Sequence, residues 1–265
     1  RYSYSSNEKK WLSNPVVGRT IEDKNGNLWI GTEGGGLNYY NRRTREFKWY
    51  RPQEGRNSIS HNNVKALYYD ADKEIIWIGT HLGGLNKLDI RSGHFTHYRM
   101  EGNNPQSLPS DIIRDITPYK DLLIIATQNG VCLFNPANGQ CRQLFKDSKE
   151  GKSIKMVADV VFDSEGTLWI AATGEGVFSY RFDTRKLTNY RHDAANPNSL
   201  SNNNVNNITQ DSKGNLWFST SGSGLDLYRP ETNDFENFDK GKNGLASDCI
   251  YETQESPTSG KLLLI

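Results

Sequence analysis

Apolar residues along this chain come in short runs, parted by clusters of Gly, Asn, Asp and Ser, and one run keeps returning. Leu28-Trp29-Ile30-Gly31-Thr32 is followed by Ile76-Trp77-Ile78-Gly79-Thr80, Leu123-Ile124-Ile125-Ala126-Thr127, Leu168-Trp169-Ile170-Ala171-Ala172 and Leu216-Trp217-Phe218-Ser219-Thr220. A sixth copy opens at Leu263-Leu264-Ile265, and the Trp position advances by 45–48 residues each time. A fixed period of that length marks one supersecondary unit copied several times. In the second copy, β-rich runs stand at 64–69, 75–80, 85–89 and 95–99, joined by connections rich in Gly, Asp and Ser. Such connections suit antiparallel hairpins. Four short antiparallel strands per repeat, here A to D, make the blade of a β-propeller.

The pattern therefore predicts an all-β chain forming one propeller domain, 1–265. Complete blades are expected at about 16–51, 63–99, 112–146, 157–191 and 204–239, with partial blades at 1–5 and 249–265. The partial blades make the chain read as a piece of a longer protein, whose intact ring would hold seven. An open arc would leave strand edges and apolar blade faces uncovered.

Composition narrows the partners. With 32 basic and 31 acidic residues the net charge is +1, so no basic field draws a phosphate backbone and no nucleic-acid partner is expected. No apolar run reaches membrane-spanning length, so any membrane attachment would come from segments outside this stretch. Three cysteines lack metal-ligand spacing, and neither metal nor other cofactor is expected. Cys132 and Cys141 flank the turn Asn135-Pro136-Ala137-Asn138-Gly139; they could meet across a hairpin or stay free.

The turns repeat as faithfully as the strands. Asp23-Lys24-Asn25-Gly26, Asp163-Ser164-Glu165-Gly166 and Asp211-Ser212-Lys213-Gly214 all fall between strands A and B. Asp there can accept backbone amides while Gly supplies a positive φ; a calcium loop would need further ligands that are missing. The third copy departs most, with Ile124 in place of Trp and its A–B turn rewritten around Pro118. The sequence Asp23-Lys24-Asn25-Gly26-Asn27-Leu28-Trp29-Ile30-Gly31-Thr32, followed by Gly35-Gly36-Leu37-Asn38 and echoed by Gly83-Gly84-Leu85-Asn86, resembles the two-component regulator propeller repeat. That resemblance implies seven-bladed propellers in the periplasmic sensor region of an inner-membrane hybrid two-component protein, with histidine kinase and receiver parts beyond the membrane. It further implies an oligosaccharide ligand from polysaccharide breakdown, control of carbohydrate-utilisation genes, and a homodimer.

In a propeller the B–C loops and D–A connectors share one end of the blades, where sites gather on a rigid scaffold. The residues after the strand B motif differ between copies: Glu33, His81, Gln128, Glu175 and Ser221. Strand A supplies two polar columns expected to line a solvated channel: Gly18/Arg19, Lys65/Ala66, Arg114/Asp115, Ala158/Asp159, Asn206/Asn207 and Tyr251/Glu252, with pairing among Arg114, Asp115 and Asp159 the structural alternative. Connector residues His61, Asn62, Asn63, Asp111 and Asn203 complete the candidate ligand-binding set of Glu33, His61, Asn62, Asn63, His81, Asp111, Arg114, Gln128, Glu175, Asn203 and Asn206. Asn and Asp equally begin turns and satisfy loop backbone. Mid-strand Trp29, Trp77, Trp169 and Trp217 are expected to pack between blades. Two other functions compete: a protein-interaction scaffold, and a propeller lyase of the streptogramin type, whose phrase Gly214-Asn215-Leu216-Trp217-Phe218 matches. The lyase needs a His base and a held metal. Only His61 and His81 of the five histidines fall at the loop end, and no catalytic residue is nominated.

Overall fold

The computed structural model describes residues 11–256 and 258–265, and its regular secondary structure is almost wholly β-strand. The chain divides into two compact units, Arg1–Gln143 and Leu144–Ile265. The first holds three four-stranded antiparallel sheets, each meandering in chain order. They are β1–β4 (Val17–Glu22, Leu28–Thr32, Gly36–Asn41, Glu46–Tyr50), β5–β8 (Val64–Asp70, Ile75–Thr80, Leu85–Asp89, His94–Tyr98) and β9–β12 (Ile113–Tyr119, Leu122–Thr127, Gly130–Phe134, Cys141–Gln143). The second holds β13–β16 (Val157–Phe162, Leu168–Ala172, Gly176–Tyr180, Leu187–Tyr190), β17–β20 (Val205–Gln210, Leu216–Thr220, Leu225–Arg229, Asp234–Phe238) and the pair β21–β22 (Thr253–Glu255, Leu262–Leu264). These sheets are blades one to five and the start of a sixth. The partial blade expected at 1–5 lies outside the described residues.

Within the two units, the first, second and fourth blades are held to the next by the ring their motif supplies. Trp29 is buried with Val64, Leu67, Ile76 and Phe95 of the second blade, Trp77 meets Phe134 of the third edge-on, and Trp169 meets Phe218 and Tyr228 of the fifth. Buried rings of this size dominate the energetics of such thin cores.

The A–B turn explains why the motif keeps its Asp. Oδ1 of Asp23 accepts the amides of Asn25 and Asn27 at 2.9 and 3.0 Å, and Oδ2 accepts Trp29 Nε1 at 3.2 Å. Asp163 and Asp211 hold Trp169 and Trp217 the same way, at 2.8 and 2.9 Å. Each turn thus fixes the indole of its own blade's motif. Burial disfavours the Asp211 carboxylate, yet bonds from Trp217, Asn215 and the turn amides hold its pKa below the ordinary value.

The third blade solves the same turn differently. Pro118 is inside β9, opposite Leu123, on the sheet edge, where a missing amide costs no ladder bond. The reversal is the two residues Lys120-Asp121, with Lys120 at φ 54°. Cys132 and Cys141 are joined by a disulfide diagonally across β11 and β12; its closed loop is worth about 2–3 kcal/mol of unfolded-state entropy.

A register shift near the start of strand A in all five complete blades corrects the expected channel wall. A bulge inserts one residue and rotates the strand beyond it. The second column therefore turns inward, and Asp115, Asp159 and Asn207 are buried. Asp159 Oδ2 accepts Asn207 Nδ2 and Ile208 N, both at 2.8 Å, and Asn207 Oδ1 accepts Thr253 N at 3.0 Å. This polar ladder stitches the fourth, fifth and sixth blades. In the first unit Asp115 faces Arg19 at 3.7 Å, while Arg114 turns to Gln128 instead.

Candidate functional site

Three repeated devices build the loop ends, all three in the first two blades and two of them in each of the fourth and fifth. Connector Ser13 and Ser60 donate their amides to Asn38 and Asn86 of the buried Gly-Leu-Asn motif, at 2.9 and 2.8 Å; Ser201 does the same to Asp226 at 3.0 Å. The first glycine of strand C, Gly36, Gly84, Gly176 or Gly224, donates to the carbonyl of Asn62, Asp111, Asn203 or Asp248 on the following connector. These glycines have φ of 68–82°, and a Cβ would strike the carbonyl of Tyr50, Tyr98, Tyr190 or Phe238. The arginine after strand D, Arg51, Arg99 or Arg191, reaches a B–C loop carbonyl at Gly35, Leu82 or Gly174. The loops of the first two blades are thus pinned from three sides before any ligand arrives.

Two candidates belong to that scaffold. Asp111 Oδ1 accepts the amide of Met100 and Asn203 Oδ1 that of His192, both at 2.8 Å. Asn206, at the bulge, donates to Ile250 O and accepts from Ser221 Oγ. In the second unit Glu175 pairs with Arg191, and its expected place in the column is corrected by the register. The amides of Glu33, His81, Gln128 and Ser221 bond Val16, Asn63, Ile112 and Asn204, and in the fourth blade the amide doing so is that of Thr173, on Met156. Thr173 follows the motif directly; Glu175 sits two further on, beside Gly176.

The first unit brings the other candidates together. Glu33 bridges to Asn63 and its carboxylate pairs with Lys65. Asn63 O accepts His81 N at 2.9 Å, and Asn62 O receives Gly36 N at 2.7 Å. His61 Nδ1 accepts Asn63 N at 3.1 Å. Burial, then the neighbouring His81 and Arg99, lower the His61 pKa, which keeps that nitrogen a neutral acceptor. Arg99 stands 3.6 Å from Asp111 and 2.9 Å from Leu82 O. Arg114 and Gln128 are joined at 3.5 Å one blade along.

Two features set this cluster apart from its sister loops. His81 Nδ1 is buried, and among the described residues it is the one such side-chain atom with no hydrogen-bond partner; such a group costs about 1–3 kcal/mol. Leu82 is 55% exposed at φ 74°, where Gly34, Gly174 and Gly222 stand in sister loops, all at positive φ. Left-handed backbone costs a branched L-residue about 1–2 kcal/mol. The sequence held the signal for Leu82, since it interrupts a glycine column, and for Arg99, which repeats as Tyr50-Arg51, Tyr98-Arg99 and Tyr190-Arg191. The loop end offers an exposed apolar side chain together with imidazoles, a guanidinium and amides. Among the described residues no group of three or more His, Cys, Asp or Glu is placed to hold a metal.

Three stretches, 11–34, 58–81 and 199–222, match the family model described as two component regulator propeller. No curated protein matches. The extracellular domain of BT3049 from B. thetaiotaomicron, described as a hybrid two component system, is 25% identical with a TM-score of 0.81, covering 96% of this chain and 32% of that one. That of BT4673 from the same organism, described as a one component system, is 23% identical with a TM-score of 0.76, covering 98% and 34%. PorZ, a surface component of the type-IX secretion system of Porphyromonas gingivalis, is 16% identical with a TM-score of 0.70, covering 94% and 37%. The last two likenesses show the propeller fold. This chain spans about a third of the length of these structures.

Proposed function

We propose, from the premise that this chain carries two component regulator propeller repeats, that it is part of the extracytoplasmic sensor region of a hybrid two-component protein and binds an oligosaccharide at the loop end of its second blade. The observation that carries the site is the pairing of Leu82, strained and exposed where sister loops use glycine, with His81, whose buried Nδ1 lacks a partner. Residues held against local preference in an otherwise consistent repeat mark function. His61, Arg99 and the Glu33–Lys65 pair, at the same loop end, supply further donors and acceptors. The Cys132–Cys141 disulfide supports a periplasmic setting, since such bonds persist in oxidising compartments. Among the described residues no helix is long and apolar enough to cross a membrane. Ligand binding would then act through rigid-body placement of whole propellers, because tightly packed blades make poor hinges.

The test is calorimetric titration of the chain with a panel of plant, fungal and host oligosaccharides, repeated on Leu82→Gly. The substitution relieves the left-handed strain, so it should raise stability by about 1 kcal/mol while weakening binding at least about tenfold. A panel that produces no heat of binding, or a bound glycan indifferent to Leu82→Gly and His81→Ala, overturns the reading.

A further inference from the structure

The second unit contains a cleft that the loop-end site does not use. It lies between the fourth and fifth blades, at the end carrying the A–B and C–D turns, and encloses about 590 Å³, within the range of small-molecule sites. One small residue distinguishes its wall from the first blade. In the first blade the row across the sheet reads Trp29, Tyr39, Lys48, and the Tyr39 ring fills the space beside Trp29 with centroids 4.7 Å apart. In the fourth blade the same row reads Trp169, Ser179, Thr188, and Ser179 leaves that space open. The neighbouring turn is also unsealed. Lys24 and Arg91 both pair with Glu74 between the first two blades, whereas Lys186, Lys213, Glu165 and Glu231 around this cleft make no ion pair among the described residues.

Inside stands an aromatic wall beside unclaimed hydroxyls. Tyr190 stacks on Trp169 at 5.6 Å and Tyr228 meets it edge-on at 4.8 Å. Both phenols donate to Asn233 Oδ1 at 2.8 Å, which fixes the rings before any ligand binds. Ser179 and Thr188 stand opposite each other in register, and their hydroxyls, with that of Thr167, make no hydrogen bond among the described residues. Rigid tyrosines give contact area at low entropic cost, while hydroxyls and unpaired charges of both signs supply donors and acceptors without net charge.

We infer that this cleft is a second binding site, for one ring of a neutral saccharide, with its apolar face on the tyrosines and its hydroxyls on Ser179, Thr188, Lys186 and Glu231. It is independent of the loop-end site. The test is saturation-transfer NMR and calorimetry of the chain with the neutral trisaccharides of glucose, mannose, galactose and xylose. Ser179→Tyr restores the side chain that fills the equivalent space in the first blade, and Thr188→Val with Lys186→Ala is the milder second variant. At least one trisaccharide should bind at millimolar strength or tighter, lose about tenfold or more affinity in both variants, and be unaffected by Leu82→Gly. Absence of binding by all four overturns the inference. So does binding that survives both cleft variants, or that falls only with Leu82→Gly, which would assign the sugar to the loop end alone.

Discussion

Asp226 is the residue whose replacement tests the architecture most directly. It sits in β19 at the position that Asn38 and Asn86 hold in the first two blades, with no solvent exposure. Its Oδ2 accepts Ser201 N and Oγ at 3.0 and 3.1 Å, and its Oδ1 accepts Asn237 Nδ2 at 2.7 Å. Burial dominates all the same: the bonds from Ser201 and Asn237 and the nearby His192 only moderate it, and the pKa rises from 3.8 to about 6. Just over two pH units at 1.36 kcal/mol each makes ionising this carboxyl in the folded chain cost about 3 kcal/mol. Because the folded value lies above the unfolded one, the penalty is absent below pH 4, grows between 4 and 6, and is complete above 6. Asp226→Asn cannot ionise. Its carbonyl can keep the Ser201 amide, and its amide can donate to Ser201 Oγ as Asn38 Nδ2 does to Ser13 Oγ at 2.8 Å. The bond from Asn237 is lost, at about 1 kcal/mol, although Asn237 Nδ2 still reaches Ser199 O at 3.1 Å. The variant should therefore gain about 2 kcal/mol at pH 8 and lose that advantage by pH 4. Urea denaturation followed by tryptophan fluorescence at pH 8, 6 and 4 measures it. A variant less stable than wild type at pH 8, or a difference that does not change with pH, refutes the reasoning.

The repeated devices and the disulfide can be tested in the same way. Asp23→Ala removes the acceptor of two turn amides and of the Trp29 indole; urea denaturation should show a loss of about 2–3 kcal/mol, and a loss below about 0.5 kcal/mol would contradict the turn's role. Gly84→Ala forces a Cβ against the Tyr98 carbonyl at φ 68°, so it should cost at least about 1–3 kcal/mol in the same assay, whereas Gly93→Ala, with open space around it, should cost less. Replacing Cys132 and Cys141 together by Ala should lower stability by about 2–3 kcal/mol; calorimetric melting of both forms checks it, and unchanged melting would mean the bond does not constrain the hairpin.

The blade was legible because its signals are local. In the second repeat the strands expected at 64–69, 75–80, 85–89 and 95–99 are β5 to β8 within one residue at each end, since alternation and turn residues act over a few positions. The inward turn of Asp115, Asp159 and Asn207 was hidden because a bulge leaves no residue signature: Lys65, Arg114, Ala158 and Asn206 share no chemistry. The placement of Glu175 failed for another reason: Thr173 directly follows the motif, as Glu33 and His81 do in their copies, and its amide bond to Met156 bears that register out. Pro118 misled by its usual meaning as a turn residue; at a sheet edge it is simply a strand residue.

Repetition also separates scaffold from site in a way a single domain cannot. A residue kept from blade to blade answers a demand that those blades share, as the A–B turn Asp and the strand C glycine do here. A residue that departs from its column with a compensating bond is still scaffold: Asp226 for Asn keeps the Ser201 clamp and differs only in charge. The departures left without compensation are few. Leu82 carries backbone strain that three sister glycines avoid, His81 lacks a partner for a buried nitrogen, and Ser179 leaves open a space that Tyr39 fills. The first two share one loop of the first unit and the third lies in the second, so the same logic yields two sites that separate variants can silence one at a time.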